Sequence, residues 1–342
     1  MVGLRTTATG VAAAVAVVAA LVAAAAPGPA ATAAGTVAAG AVPAPVPAAV
    51  TAPARSGPPA PSAPTPGPQW APVADAAIRP GVLTETAGGG LCTSNFVFAG
   101  GGRTYLGQAA HCAGTGADTE IDGCTAATLP LGTRVTIRAA DGTRRAGTLA
   151  YSSWVAMQAG GETDPAACAG NDFALVELAP ADVADVNPSA PFFGGPTGLH
   201  TGGLAAGAEV FGYGSPRARI GSGASAPLRP KVGAAAGPAP PPPPPPRAPP
   251  GPPPAPRGVG DSGAGYLDAD GRAVGLLSTL TLNSAEGVSD GLTDLAAALG
   301  YAAANGGLGG VELVLGTEPF TATPPGVPLT AIAPPAGPGV GG

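Results

Sequence analysis

The chain has 342 residues, of which Gly (56) and Pro (44) supply about 29%, while charged residues supply 11% and aromatics 4%. This composition excludes one compact domain from end to end, since a typical domain carries about 25% charged residues, so low-complexity stretches must flank or interrupt the segment that holds the core. The net charge of −6 excludes nucleic acid as a partner, because phosphates need a Lys/Arg surface, and it excludes a polybasic membrane-surface protein.

In chain order, Arg5 is the single charge of the first ten residues, and Val11–Ala26 is a wholly apolar run of 16. That is shorter than the roughly 20 residues of a membrane span. Small residues follow, with Ala-x-Ala exits at 24–26 and 31–33, so residues 1–33 read as a secretory signal peptide without a twin Arg. The mature chain is then secreted and extracellular. In that oxidising setting four cysteines read as disulfides, with three pairings open. There is no CxxC and no His pair at ligand spacing, so no metal and no cofactor are implied. The acidic loop at 118–122 reads as solvated. Residues 34–72 are Ala/Pro-rich and nearly uncharged, a linker or pro-segment that buries too little to offset its ordering entropy.

From 73 to 320 short apolar stretches alternate with turn residues. Asn95–Phe98, Arg134–Arg138 (strictly alternating), Phe173–Leu178 and Glu209–Tyr213 read as strands. Tyr266–Leu267 and Ala273–Leu277 read as a hairpin turning at Asp270-Gly271. One helix is predicted near 293–304, capped by Thr293 or Asp294 and stopped by Gly306-Gly307. Many short strands with one late helix predict an all-β barrel or sandwich architecture. Residues 234–256 interrupt the pattern with a proline run that cannot donate to a ladder. Residues 321–342 are Pro/Gly-rich and read as a disordered tail.

Three stretches carry chemistry: Gln108-Ala-Ala-His111-Cys112, Asn171-Asp172-Phe-Ala-Leu-Val176 and Gly260-Asp261-Ser262-Gly263. Singly, each is commonplace: a His beside a structural Cys, an Asp opening a strand, a turn in a Gly-rich chain. As an ordered set they supply a base, a carboxylate to orient it and a nucleophile. His200 has no carboxylate motif beside it and reads as a surface or inter-barrel residue.

The set resembles the secreted trypsin/chymotrypsin-like serine peptidases, in the style of their actinobacterial members. The resemblance covers about residues 80–316, specific at the three motifs and loose between them. It implies two antiparallel six-stranded β-barrels with a C-terminal helix, the first over about 80–195 and the second over about 200–316. It implies His111 as general base, Asp172 as its orienting carboxylate and Ser262 as nucleophile. The N–H groups of Gly260 and Ser262 would form the oxyanion hole. Ser278 would lie beneath Asp172, and Ser278, Thr279 and Leu280 would bind substrate backbone by strand addition. Cys92–Cys112 and Cys124–Cys168 are the implied disulfides. The implied activity is a monomeric serine endopeptidase acting on peptides or proteins, with no nucleic-acid and no stable membrane partner.

Departures from the family pattern bear on that expectation. No Arg/Lys-Ile-Val-Gly-Gly start is present, and Arg79 precedes Pro80, so a new amino-terminus pairing with Asp261 is not expected and an internal partner is. The position six before the nucleophile is Pro256, with no carboxylate, which disfavours Lys/Arg specificity. Thr279 replaces the usual aromatic. The proline run reads three ways: a loop insertion, the mark of an inactive relative, or a frameshifted stretch between Val232 and Val259. Two other functions therefore stand beside the peptidase: a catalytically impaired peptide-binding module, and a Pro-rich cell-surface structural protein.

Overall fold

The computed structural model describes residues 68–116, 120–214, 230–237, 261–283 and 287–323. The expected signal peptide, nearly all of the linker, most of the proline run, Gly260 and the tail from 324 lie outside the described residues, as does Asp118 of the acidic loop.

The described chain is mostly β. The first strands are β1 (Leu83–Thr86), β2 (Leu91–Thr93), β3 (Val97–Gly100), β4 (Arg103–Gln108), β5 (Arg134–Arg138), β6 (Arg144–Ser152) and β7 (Ala174–Leu178). Helices α1 (Ser153–Gly160) and α2 (Pro165–Gly170) lie between β6 and β7. After a linker come β8 (Gly198–Leu199), β9 (Glu209–Tyr213), β10 (Pro230–Ala234), β11 (Gly265–Leu267), β12 (Arg272–Asn283), β13 (Gly287–Asp294), helix α3 (Leu295–Asn305) and β14 (Glu312–Leu313).

These strands form two sheets. The first has the order β14-β3-β4-β7-β6-β5-β1-β2, and the second β10-β9-β11-β12-β13 with β8 pairing β12. Six strands match the expectation for the second sheet; the first carries eight among the described residues. One of these is β14, which returns from beyond the last helix to pair antiparallel with β3. Pairing is antiparallel except where β8 lies parallel to β12.

The strands form where side-chain alternation matches the pleat. In β5, Val135 and Ile137 are fully buried while Arg134 is exposed and Thr136 and Arg138 are half-buried. The β11–β12 hairpin turns at Asp268–Gly271, where the Gly271 N–H donates to the Asp268 carbonyl. Pro230 opens β10 at the edge of its sheet, a place where a missing N–H is tolerated. Helix α3 is capped by Asp294, whose Oδ1 accepts from the Ala297 N–H at 3.0 Å. Its buried residues Leu295, Ala298, Leu299 and Ala302 make one stripe.

One apolar cluster fills the first sheet, with Val97, Leu106, Ile137, Leu149 and Val176 at its centre. A second joins the two sheets and α3: Phe96, Phe98 and Phe173 from one side meet Phe211, Leu267 and Leu276 from the other, with Leu295 and Leu299 of the helix.

Candidate active site

The site is assembled from four short segments. Strand β4 ends at Gln108, and a 3₁₀ turn over Ala110–Ala113 places His111. The opening N–H groups of a helical turn have no internal acceptor. The His111 N–H is one of these, and it donates to Asp172 Oδ1 at 2.8 Å. The same residue's ring brings Nδ1 to 2.6 Å from Asp172 Oδ2. His111 thus meets both oxygens of one carboxylate, which fixes the imidazole plane and assigns the proton to Nδ1. The turn is anchored by the Cys92–Cys112 disulfide and by the Gly90 N–H donating to the Cys112 carbonyl. The second disulfide, Cys124–Cys168, ties the segment before β5 to helix α2.

Asp172 lies between α2 and β7 and is 4% exposed. Ser153, fully buried at the start of α1, braces it on both sides: its hydroxyl donates to the Asn171 carbonyl at 2.7 Å and accepts from the Phe173 N–H at 3.1 Å. Thr293 of β13 reaches across from the second sheet. Its Oγ accepts from the Asp172 N–H at 3.3 Å and donates to the Gly170 carbonyl at 3.0 Å. Ser278 completes the carboxylate's shell, donating to Asp172 Oδ2 at 2.7 Å. Burial pushes the Asp172 carboxyl up. The neighbouring His111 and hydrogen bonds from its ring, the Ser278 hydroxyl and the His111 N–H outweigh that, and the net direction is down.

Ser278 points there because of a β-bulge. Leu277 pairs with Leu292 and Thr279 with Gly291, so Ser278 is the extra residue. A bulge re-aims a side chain without ending the ladder. Thr279 packs against Gly291, where a Cβ would come within 2.1 Å of the Thr279 hydroxyl. The backbone of Leu280 pairs with Asp290.

The Ser262 turn docks against the first sheet. The Thr93 N–H donates to the Ser262 carbonyl at 2.8 Å, and the Gly263 N–H donates to the Leu277 carbonyl at 2.7 Å. Gly263 has φ +88°, and a Cβ there would lie 2.5 Å from the Thr93 carbonyl oxygen and 3.0 Å from the Ala109 nitrogen. The Ser262 turn therefore rests on the strand end that leads into His111. Among the described residues no hydrogen bond joins Ser262 Oγ to His111.

Asp261 has an internal partner: Lys231 Nζ of β10 lies 2.7 Å from its Oδ2. Among the described residues its other oxygen is buried without a partner and packs on Gly214, where a Cβ would come within 2.2 Å of it. The sequence offered no sign of Lys231 or Ser153, and it offered Thr293 only as a candidate helix cap, a role that Asp294 takes. Each acts through a contact made only in the folded chain.

His200, which has no carboxylate motif beside it in sequence, meets a carboxylate from a distant turn. Its Nδ1 lies 2.7 Å from Asp268 Oδ2, and its Nε2 lies 3.0 Å from the Gly203 carbonyl. The carboxylate comes from the β11–β12 turn, 68 positions away, and Arg272 also contacts it at 2.9 Å. With its Nε2 facing a carbonyl, this pair is a structural clamp.

Two groups of ligand-type side chains occur among the described residues: Cys92, His111 and Cys112, and Asp122, Cys124 and Cys168. The sulfurs of each group are bonded in disulfides, so neither offers thiolate ligands. Among the described residues no helix is long and apolar enough to cross a membrane.

No protein-family model and no curated protein matches the chain. Solved structures similar to it include Thermobifida fusca Protease A, at 20% identity and a TM-score of 0.36, covering 70% of this chain and 100% of that one. A Nocardiopsis protease is similar at 17% identity and a TM-score of 0.38, covering 69% and 98%. A Cellulomonas bogoriensis chymotrypsin is similar at 18% identity and a TM-score of 0.34, covering 70% and 98%. Scores this low leave the geometry of the site to carry the functional reading.

Proposed function

We propose that the chain is a serine endopeptidase of the trypsin/chymotrypsin type, exported and processed to a mature domain within about residues 73–320. The observation that carries this reading is the His111–Asp172–Ser278 network, with the Ser262 turn docked on the strand end beside it. A carboxylate bound to both the ring and the main chain of one histidine leaves its Nε2 as the free base.

In this mechanism His111 Nε2 takes the Ser262 hydroxyl proton as Oγ bonds to the substrate carbonyl carbon. Asp172 holds the tautomer and stabilises the imidazolium. The N–H groups of Ser262 and Gly260 receive the oxyanion. His111 then gives the proton to the leaving amine as the C–N bond breaks; water, deprotonated by the same base, bonds to the acyl carbon, and His111 returns that proton to Ser262 Oγ as the Oγ–C bond breaks and the acid leaves. Catalytic hydrogen bonds commonly close only when substrate binds, which accommodates the absent Ser262–His111 bond. Peptide backbone would pair with the 278–280 segment, and a preference other than Lys/Arg follows from Pro256.

A fluorophosphonate probe on the secreted chain tests this, beside a Ser262→Ala control. Covalent labelling that disappears in the control is expected; a folded chain that stays unlabelled overturns the proposal. The second reading, a peptide-binding module without hydrolysis, is favoured by that same unmade bond. It predicts peptide binding by a chain that the probe does not label.

A further inference from the structure

The reading above needs groups from both sheets. His111 and Asp172 belong to the first, and Ser262 and Ser278 to the second. The core between the sheets is apolar, built on Phe98 and Phe173 against Phe211 and Leu276. Apolar burial drives contact without direction, so it leaves the relative register of two packed faces loosely set. Directional hydrogen bonds tighten that register, and those of Thr293, Ser278 and the Ser262 carbonyl already cross between the sheets beside the site.

The chain after α3 adds a connection away from the site: hydrogen bonds to the first sheet and to the segment between the sheets, and a ring contact to the second sheet. Beyond β14, the Val314 N–H donates to the Val97 carbonyl at 2.9 Å, which holds the segment on the first sheet. The Gly316 N–H then donates to the Pro196 carbonyl at 2.8 Å, on the linker between the sheets. Ser189, 4% exposed, accepts from the N–H groups of Thr317 at 2.9 Å and Glu318 at 3.0 Å. Asn187, 1% exposed, donates to the Thr317 hydroxyl at 2.9 Å and to the Ala71 carbonyl at 2.7 Å. The Gly195 N–H donates to the Glu318 carbonyl at 3.0 Å, and the Thr321 N–H to the Phe193 carbonyl at 2.7 Å. Finally Phe320 stacks edge-on against Phe211 of β9, with ring centroids 5.5 Å apart. One eleven-residue segment, 311–321, is therefore fastened to the first sheet, the linker and the second sheet in turn.

We infer that residues 311–321 are a positioning strap, which registers the sheet bearing His111 and Asp172 against the sheet bearing Ser262 and Ser278. Its consequence for activity rests on the serine-peptidase reading; its consequence for geometry does not. None of its side chains touches the reacting groups.

The test uses the full mature chain carrying Ser189→Ala and Phe320→Ala together, with Ser189→Ala alone as the milder variant should the pair fail to fold. Nitroxides at Arg144→Cys in β6 and Glu209→Cys in β9, both exposed and on opposite sheets, report the inter-sheet distance distribution. The fluorophosphonate labelling rate reports Ser262, and the downfield Nδ1 proton resonance of His111 reports the pair within the first sheet. Expected are a broadened distance distribution and a labelling rate lower by about tenfold or more, since a shift near 1 Å costs about a hundredfold. The His111 resonance should be unchanged. A distribution as narrow as that of the parent overturns the strap, as does loss of the His111 resonance in step with labelling. If the parent chain is itself unlabelled, the peptidase reading fails and the distance distribution alone decides the strap.

Discussion

Lys231 is the only lysine in the chain, and it faces Asp261, the residue before Ser262. Its ammonium lies 2.7 Å from Asp261, with side chains 20% and 19% exposed. At an effective dielectric of about 20 the attraction at this separation has a ceiling near 6 kcal/mol. Water regained by a partly exposed carboxylate discounts it, and removing one partner of a fully buried pair costs about 3–5 kcal/mol. About 2–3 kcal/mol is therefore expected for Lys231→Met. Among the described residues the Asp261 oxygen packed on Gly214 has no partner, so without Lys231 the carboxylate should move toward water and carry Ser262 with it. If that energy is lost from the aligned state, labelling of Ser262 slows about 30- to 150-fold. Lys231→Arg keeps the charge and should recover most of the rate. The single lysine also allows a chemical version: acetylation removes its charge and reductive dimethylation keeps it. The assay is the second-order labelling constant, with mass spectrometry to verify occupancy at Lys231. An acetylated chain that labels at the unmodified rate refutes the reasoning.

Gly263→Ala should cost more than about 2 kcal/mol and suppress labelling, because it combines a positive φ with a Cβ 2.5 Å from the Thr93 carbonyl; a melting curve and labelling rate equal to the parent's would rule this out. Replacing Cys124 and Cys168 by Ala should lower stability by about 4 kcal/mol, from the 44-residue separation they close, whereas Cys92 and Cys112, 20 apart, should cost about 3 kcal/mol; denaturant midpoints of the two variants test the order. His200 has acceptors at both ring nitrogens; the Gly203 carbonyl and then Asp268 raise its pKa against a smaller opposing effect of burial. Its folded value lies above the unfolded one, so its stabilisation is complete below about pH 6.5 and is lost as pH rises through the folded value. The difference in urea midpoint between the parent and His200→Gln should therefore shrink from pH 6 to pH 9, and a difference independent of pH counts against it.

Local sequence determined the strands whose pattern is self-contained. Arg134–Arg138 alternates in sequence and in burial, Asp270-Gly271 makes its hairpin, and Asp294 caps the last helix. These features depend on residues within one turn or one pleat of each other. Helices α1 and α2 were not legible. Ser153–Gly160 has no strong apolar stripe, and Pro165–Gly170 has only six residues, although Asp164 before Pro165 is a readable start signal. The motif strings singled out His111, Asp172 and Ser262 one at a time. Tertiary structure decided that His111 and Asp172, 61 positions apart, meet through both carboxylate oxygens, and that a bulge turns Ser278 onto the same group. It also decided that Lys231 faces Asp261, Asp268 faces His200, and the segment after α3 returns across both sheets. Such pairings join residues tens to hundreds of positions apart. No periodicity or turn residue encodes them, because their partners become neighbours only when the apolar core closes.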